Sequence, residues 1–103
     1  MIMSACVWIH YARPRPHWYG LDAATQAAHE KAWATAADAS LAAGGSRLGR
    51  YHIRGQQDFE TVEIWKFPSA EAAFGHWSAL TAAAYGELNA FANNIGLAME
   101  GSP

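Results

Sequence analysis

With 103 residues, a formal net charge of −2 and 51% hydrophobic but only 16% charged residues, the chain reads as one globular domain over 1–103. Its seven basic residues form no dense run, which excludes the phosphate-neutralising face that nucleic-acid binding needs. No stretch reaches the roughly 18–20 apolar residues of a membrane span, and the lone Cys6 has no disulfide partner, so a cytoplasmic setting is expected.

Ala5 to Tyr11 (ACVWIHY) is rich in β-branched and aromatic side chains and reads as a first strand. Alternation puts Cys6, Trp8 and His10 on one face, with Val7, Ile9 and Tyr11 on the other. Pro14 and Pro16 then stiffen a loop in which His17 and Trp18 are candidates to gate an entrance. Asp22 is placed to cap a long alanine-rich helix running to about Ala43, where Gly44-Gly45 ends it. Helical projection groups Leu21, Ala24, Ala28, Ala32, Ala39 and Ala43 on its sheet-facing side, with His29 and Trp33 beside them.

Arg47–Arg54 and Phe59–Phe67 read as a hairpin turning through Gly55-Gln56-Gln57-Asp58. A loop centred on Gln56 and Gln57 pairs His52 with Thr61, Arg50 with Glu63, and Leu48 with Trp65. These six share one face, while Gly49, Tyr51, Ile53, Val62 and Ile64 make an apolar opposite face. Ser69 caps a second helix expected to run to about Asn93, with Ala70, Ala73, Phe74, Trp77, Thr81, Ala84, Leu88 and Phe91 as its stripe. That projection leaves His76 off the stripe. The tail IGLAME is a candidate short fourth strand.

The order β-α-β-β-α-(β) is α+β: a ferredoxin-like antiparallel sheet with two helices on one face. An apolar second face calls for a partner sheet, hence a homodimer. Trp8, Trp33, Trp65, Trp77 and Tyr85, with several polar groups on the helix-facing side, indicate an aromatic-lined small-molecule pocket. His10 and His52 are the acid/base candidates, with Glu63 orienting an imidazole or pairing with Arg50. Trp8, Trp33, Arg50, Trp65, Trp77 and Tyr85 are the candidate substrate-binding residues. No Gly-rich phosphate loop, nucleophile elbow or zinc spacing is present, so no nucleotide cofactor and no metal is expected. His10, His52 and Glu63 nonetheless have the composition of a two-histidine, one-carboxylate iron site.

Val62-Glu63-Ile64-Trp65-Lys66, followed by Ala73-Phe74 and Trp77, resembles a signature of the dimeric α+β barrel superfamily, among its antibiotic-biosynthesis-monooxygenase-like members. The resemblance implies two ferredoxin-like protomers packed sheet to sheet, each with a site between sheet and helices. It also implies a range of activities: cofactor-free monooxygenation, cyclisation, lyase chemistry, and haem degradation or haem enzymology. Trp65 matches the tryptophan of haem-degrading members, whereas the first strand has Trp8 and His10 but no asparagine. The resulting expectation is a cofactor-free enzyme acting on a compact apolar or aromatic molecule. Haem binding, with His29 as one candidate ligand, and a non-catalytic ligand-binding dimer are the alternatives.

Overall fold

A computed structural model describes residues 5–99. Four strands, β1 (Cys6–Pro14), β2 (Ser46–His52), β3 (Thr61–Phe67) and β4 (Asn89–Leu97), form one antiparallel sheet in the order β2-β3-β1-β4. The helices are α1 (Ala23–Ala42), α2 (Ala70–Ala82) and a single turn, α3 (Tyr85–Leu88); a 3-10 turn at Pro16–Gly20 precedes α1. This is the ferredoxin-like arrangement expected from the element order.

Both long helices start where a side chain satisfies their free N–H groups. Asp22 accepts from the Thr25 amide at 2.7 Å, and Ser69 accepts from the Ala72 amide at 3.2 Å. The core lies between helices and sheet, where Cys6, Trp8, Trp65 and Phe67 meet Ala36, Ala37, Ala73 and Leu80. Large aromatics come from the strands and small residues from the helices. Cys6 is a packing residue whose thiol donates to the Ser69 carbonyl at 3.4 Å, and burial raises its pKa, with Glu71 adding to the effect.

The contact face of α1 differs from its projection. Ala36 and Ala37 are buried, and Trp33 and Ser40 half-buried, whereas Ala24, Ala28, Ala32, Ala39 and Ala43 are exposed. Alanines are spread around every side of this helix, so their projection does not single out the buried face. In α2 the buried line is Ala73, His76 and Leu80, with Phe74 turned to solvent.

The largest departure concerns the end of α2. The helix stops at Ala82, not near Asn93, and Asn89–Leu97 is a full strand beside β1. Of IGLAME only residues 95–97 belong to that strand, as its end; Ala98 and Met99 lie past it and Glu100 is outside the described residues. Ala84 reverses the chain with φ 65, a left-handed conformation that costs a non-glycine residue about 1–2 kcal/mol. No glycine or proline announces this break. Gly86, two residues on, leaves room for Phe91: a Cβ there would lie 3.1 Å from its ring.

The β2–β3 register holds for His52–Thr61, Tyr51–Val62 and Arg50–Glu63. The connection closes through the Ile53 amide on the Glu60 carbonyl at 2.8 Å, which preserves that register. A bulge at Leu48 then shifts it, so Arg47 faces Trp65 and Leu48 is exposed. An extra residue on an edge strand raises local twist and interrupts pairing, a common way to protect an open edge. On the far face, Val7, Ile9, Tyr11, Val62 and Ile64 are half-buried and Tyr51 exposed.

Candidate functional site

Strand register lines up one polar row across the helix-facing side: Asn93, His10, Glu63 and Arg50, from β4 to β2. Below it lies the row Ile95, Trp8, Trp65 and Arg47. Beyond it, toward the open end, lies Phe91, Ala12, Thr61 and His52.

His10 is buried at the centre of the polar row, its ring stacked on Trp8 with centroids 4.8 Å apart. Nδ1 lies 2.5 Å from Asn93 Oδ1, and Nε2 lies 2.7 Å from the Tyr85 hydroxyl. Burial lowers the His10 pKa. The Asn93 bond and the Glu63 charge oppose that shift, and Arg50 adds to it. The ring is thus neutral near pH 7. A neutral ring fits both contacts in one tautomer, with Nδ1–H donating to Asn93 and Nε2 accepting the Tyr85 proton. Burial, with help from Glu63, raises the Tyr85 pKa, so the phenol stays protonated.

A cavity of about 420 Å³ opens beside this chain, between the sheet and α1. Trp8, Trp18, Trp33, Pro14 and Leu80 give it apolar walls, and His10, Tyr85, Glu63, Arg47, Arg50 and His76 give it polar groups. The 3-10 turn supplies Trp18, tied to α1 by the Gln26 amide on its carbonyl at 2.9 Å. Trp33 is fixed by its indole N–H on the Ala83 carbonyl at 3.0 Å, and it meets Tyr85 edge-on at 5.0 Å. The strained turn at Ala84 and the Trp33 anchor beside it hold the start of α3, where Tyr85 reaches His10.

Glu63 bonds no imidazole. Its Oε1 accepts from the Trp65 indole N–H at 2.5 Å and pairs with Arg47 Nε at 3.2 Å, while Arg50 Nε stands 3.9 Å from Oε2. Arg47 also lies 5.0 Å over the Trp65 ring, a cation–π contact.

His76 projects from α2 into the aromatic cluster, 4.6 Å from the Trp65 centroid, with Nδ1 2.6 Å from Ser40 Oγ. Burial lowers its pKa to about 4. Glu63 opposes the shift, and His10 and Arg47 reinforce it.

Of the residues expected from sequence, Trp8, His10, Trp33, Arg50, Glu63 and Tyr85 line the cavity together. The structure does not bring His52 there: it is exposed at the end of edge strand β2. Trp65 is fully buried beneath Arg47, and Trp77 packs behind His10 at 5.6 Å. Among the described residues no three of His, Cys, Asp and Glu gather as a metal set, so His10, His52 and Glu63 are not joined as iron ligands. His29 packs on Trp18 and Trp33 without lining the cavity. Sequence reasoning missed Asn93, His76 and Arg47. Asn93 reads as a helix stop, His76 falls off the projected stripe, and Arg47 reaches the inner face only through the bulge.

No protein-family model and no curated protein matches the sequence. Solved structures do match by fold. A chlorite dismutase mutant from Candidatus Nitrospira defluvii superposes with a TM-score of 0.76 at 17% identity. The same organism's chlorite dismutase in complex with imidazole gives 0.74 at 18% identity. In both cases the match covers 93% of this chain but only 41% of the chlorite dismutase chain. An uncharacterized NIPSNAP-like domain protein from Burkholderia xenovorans gives 0.56 at 17% identity, covering 97% of this chain and 90% of that one. The likeness is one of fold: the chain shares with these structures a ferredoxin-like α+β fold, an antiparallel four-stranded sheet packed with helices. Among the described residues, no helix is long and apolar enough to cross a membrane.

Proposed function

We propose that the cavity binds a compact aromatic molecule and that Tyr85 and His10 move a proton to or from it without a nucleotide cofactor. The observation that carries this is the buried Asn93–His10–Tyr85 chain ending at a tryptophan-walled cavity. Because Tyr85 spends its proton on His10, its oxygen is left as an acceptor for a ligand O–H or acidic C–H. In the reacting direction the ligand proton passes to the Tyr85 oxygen as the Tyr85 proton passes to His10 Nε2. The ligand becomes an anion and His10 an imidazolium held by Asn93. Such an anion can be reprotonated at a second carbon, expel a leaving group, or react with dioxygen. These outcomes are isomerase, lyase and cofactor-free monooxygenase chemistry.

The geometry is tested by titrating tryptophan emission with naphthol and with naphthalene. Both are expected to quench the wild type. Tyr85→Phe should weaken naphthol about five- to tenfold by removing its acceptor, and leave naphthalene unchanged. Absence of quenching by either compound overturns the reading.

Haem is the second reading, because haem enzymes share this fold superfamily. The residues around the cavity do not fit a haem held by His10, whose two ring nitrogens are both engaged. His76 is buried among Trp8, Trp65 and Phe67 with Nδ1 on Ser40. The purified protein is therefore expected to show no Soret band, and a Soret band would overturn the haem-free reading.

The half-covered face of Val7, Ile9, Tyr11, Val62 and Ile64 is proposed to pair with the same face of a second copy, giving a homodimer. Light scattering is expected to give twice the chain mass for wild type and the single mass for Ile9→Asp. A wild-type monomer sinks the pairing. The reduced, buried Cys6 fits a cytoplasmic protein.

A further inference from the structure

Glu63 offers one carboxylate to two arginines. Arg47 holds the nearer place and the Trp65 indole shares the same oxygen. Arg50 stands off at 3.9 Å, beyond hydrogen-bond range, with its side chain 68% exposed where it lines the cavity. The planar fork of a guanidinium matches a carboxylate in a bidentate contact, and here that fork lacks an acceptor at bonding distance among the described residues.

We propose that the ligand is an aromatic carboxylate, with its ring between Trp8, Trp18 and Trp33 and its carboxylate on Arg50. The inference rests on the aromatic-ligand reading above and adds the charge. Register supplies the spacing: His10 and Arg50 occupy one row with β3 between their strands, so their backbones lie about 10 Å apart at about 4.8 Å per strand. A one- or two-ring acid spans that gap, with its ring near Tyr85 and its charge at β2. The carboxylate in the same row, Glu63, is already engaged by Arg47 and Trp65 and so is a poorer anchor for a cationic ligand. Glu30, the cavity's other carboxylate, lies on α1 and is exposed to solvent.

Calorimetric titration with naphthoate and naphthamide tests this, since the two share a ring system and differ in charge. Wild type is expected to bind naphthoate at least tenfold more tightly. Arg50→Gln should bring the two within twofold, Arg50→Lys should keep part of the preference, and Glu30→Gln should not weaken naphthoate. Arg50 is exposed on an edge strand, so its replacement is compatible with folding, and an unchanged near-ultraviolet dichroism spectrum checks this. Equal binding of both compounds by wild type and Arg50→Gln overturns the charge inference while leaving the aromatic site in place. Failure of both compounds to bind any variant overturns the charge inference and the aromatic site together.

Discussion

Trp65→Ala is expected to cost about 3–5 kcal/mol of unfolding free energy, the range for truncating a buried tryptophan. Trp65 is 0% exposed and lies parallel to Phe67 at 5.4 Å and close to His76 at 4.6 Å. Its removal also strands two polar groups: Glu63 loses the indole donor, and Arg47 loses the ring beneath it. Domains of this size have about 5–15 kcal/mol in total, so the variant should be near the edge of folding. Urea unfolding at one fixed protein concentration gives the number, so that any self-association enters both variants equally. Tyr51→Ala, on the opposite face and exposed, is the control and should cost under about 1 kcal/mol. Similar losses for the two variants would refute the assignment of core to the helix-facing side.

The sequence makes the sheet legible because strand alternation is a strong local signal. The alternation of Cys6, Trp8 and His10 against Val7, Ile9 and Tyr11 reappears in burial, and the Arg50–Glu63 pairing follows from the turn. The inner face of β1 and its row partners on β3 and β2 were therefore readable. Two kinds of feature were not. The Leu48 bulge changes the count by one residue with no glycine at the bulged position, and it exchanges Leu48 for Arg47 beside Trp65. The break at Ala84 rests on a strained alanine, so the helical pattern runs on past it on paper and hides β4. Asn93, the partner of His10, was lost with that strand.

Rows across the sheet grade from apolar to polar: Cys6 and Phe67 first, then Trp8 and Trp65, then His10 and Glu63. Strands β1 and β3 thus each place a packing residue and a polar, cavity-lining residue two positions apart. The core and the site share a boundary, and groups at that boundary are buried without being far from charge. His76 and His10 are the cases with consequences for stability.

Acidification from pH 6.5 to about 4 is expected to cost on the order of 3 kcal/mol through His76 alone. In the unfolded chain its imidazole takes a proton near pH 6.5, whereas in the folded protein burial among Trp8, Trp65 and Phe67 delays protonation to about pH 4. Between those values the unfolded state binds more protons, so stability falls as pH falls, by about 1.4 kcal/mol per pH unit. Above pH 6.5 both states are neutral at this group and the contribution is flat. His10 is depressed in the same direction and steepens the loss. Urea unfolding at pH 7, 5.5 and 4 reads the slope. His76→Gln keeps a hydrogen-bonding partner for Ser40 but has no titrating ring, so its stability should fall less steeply, retaining only the part due to His10 and other groups. If wild type and His76→Gln lose stability in parallel across this range, the buried neutral imidazole is not what makes the fold sensitive to acid.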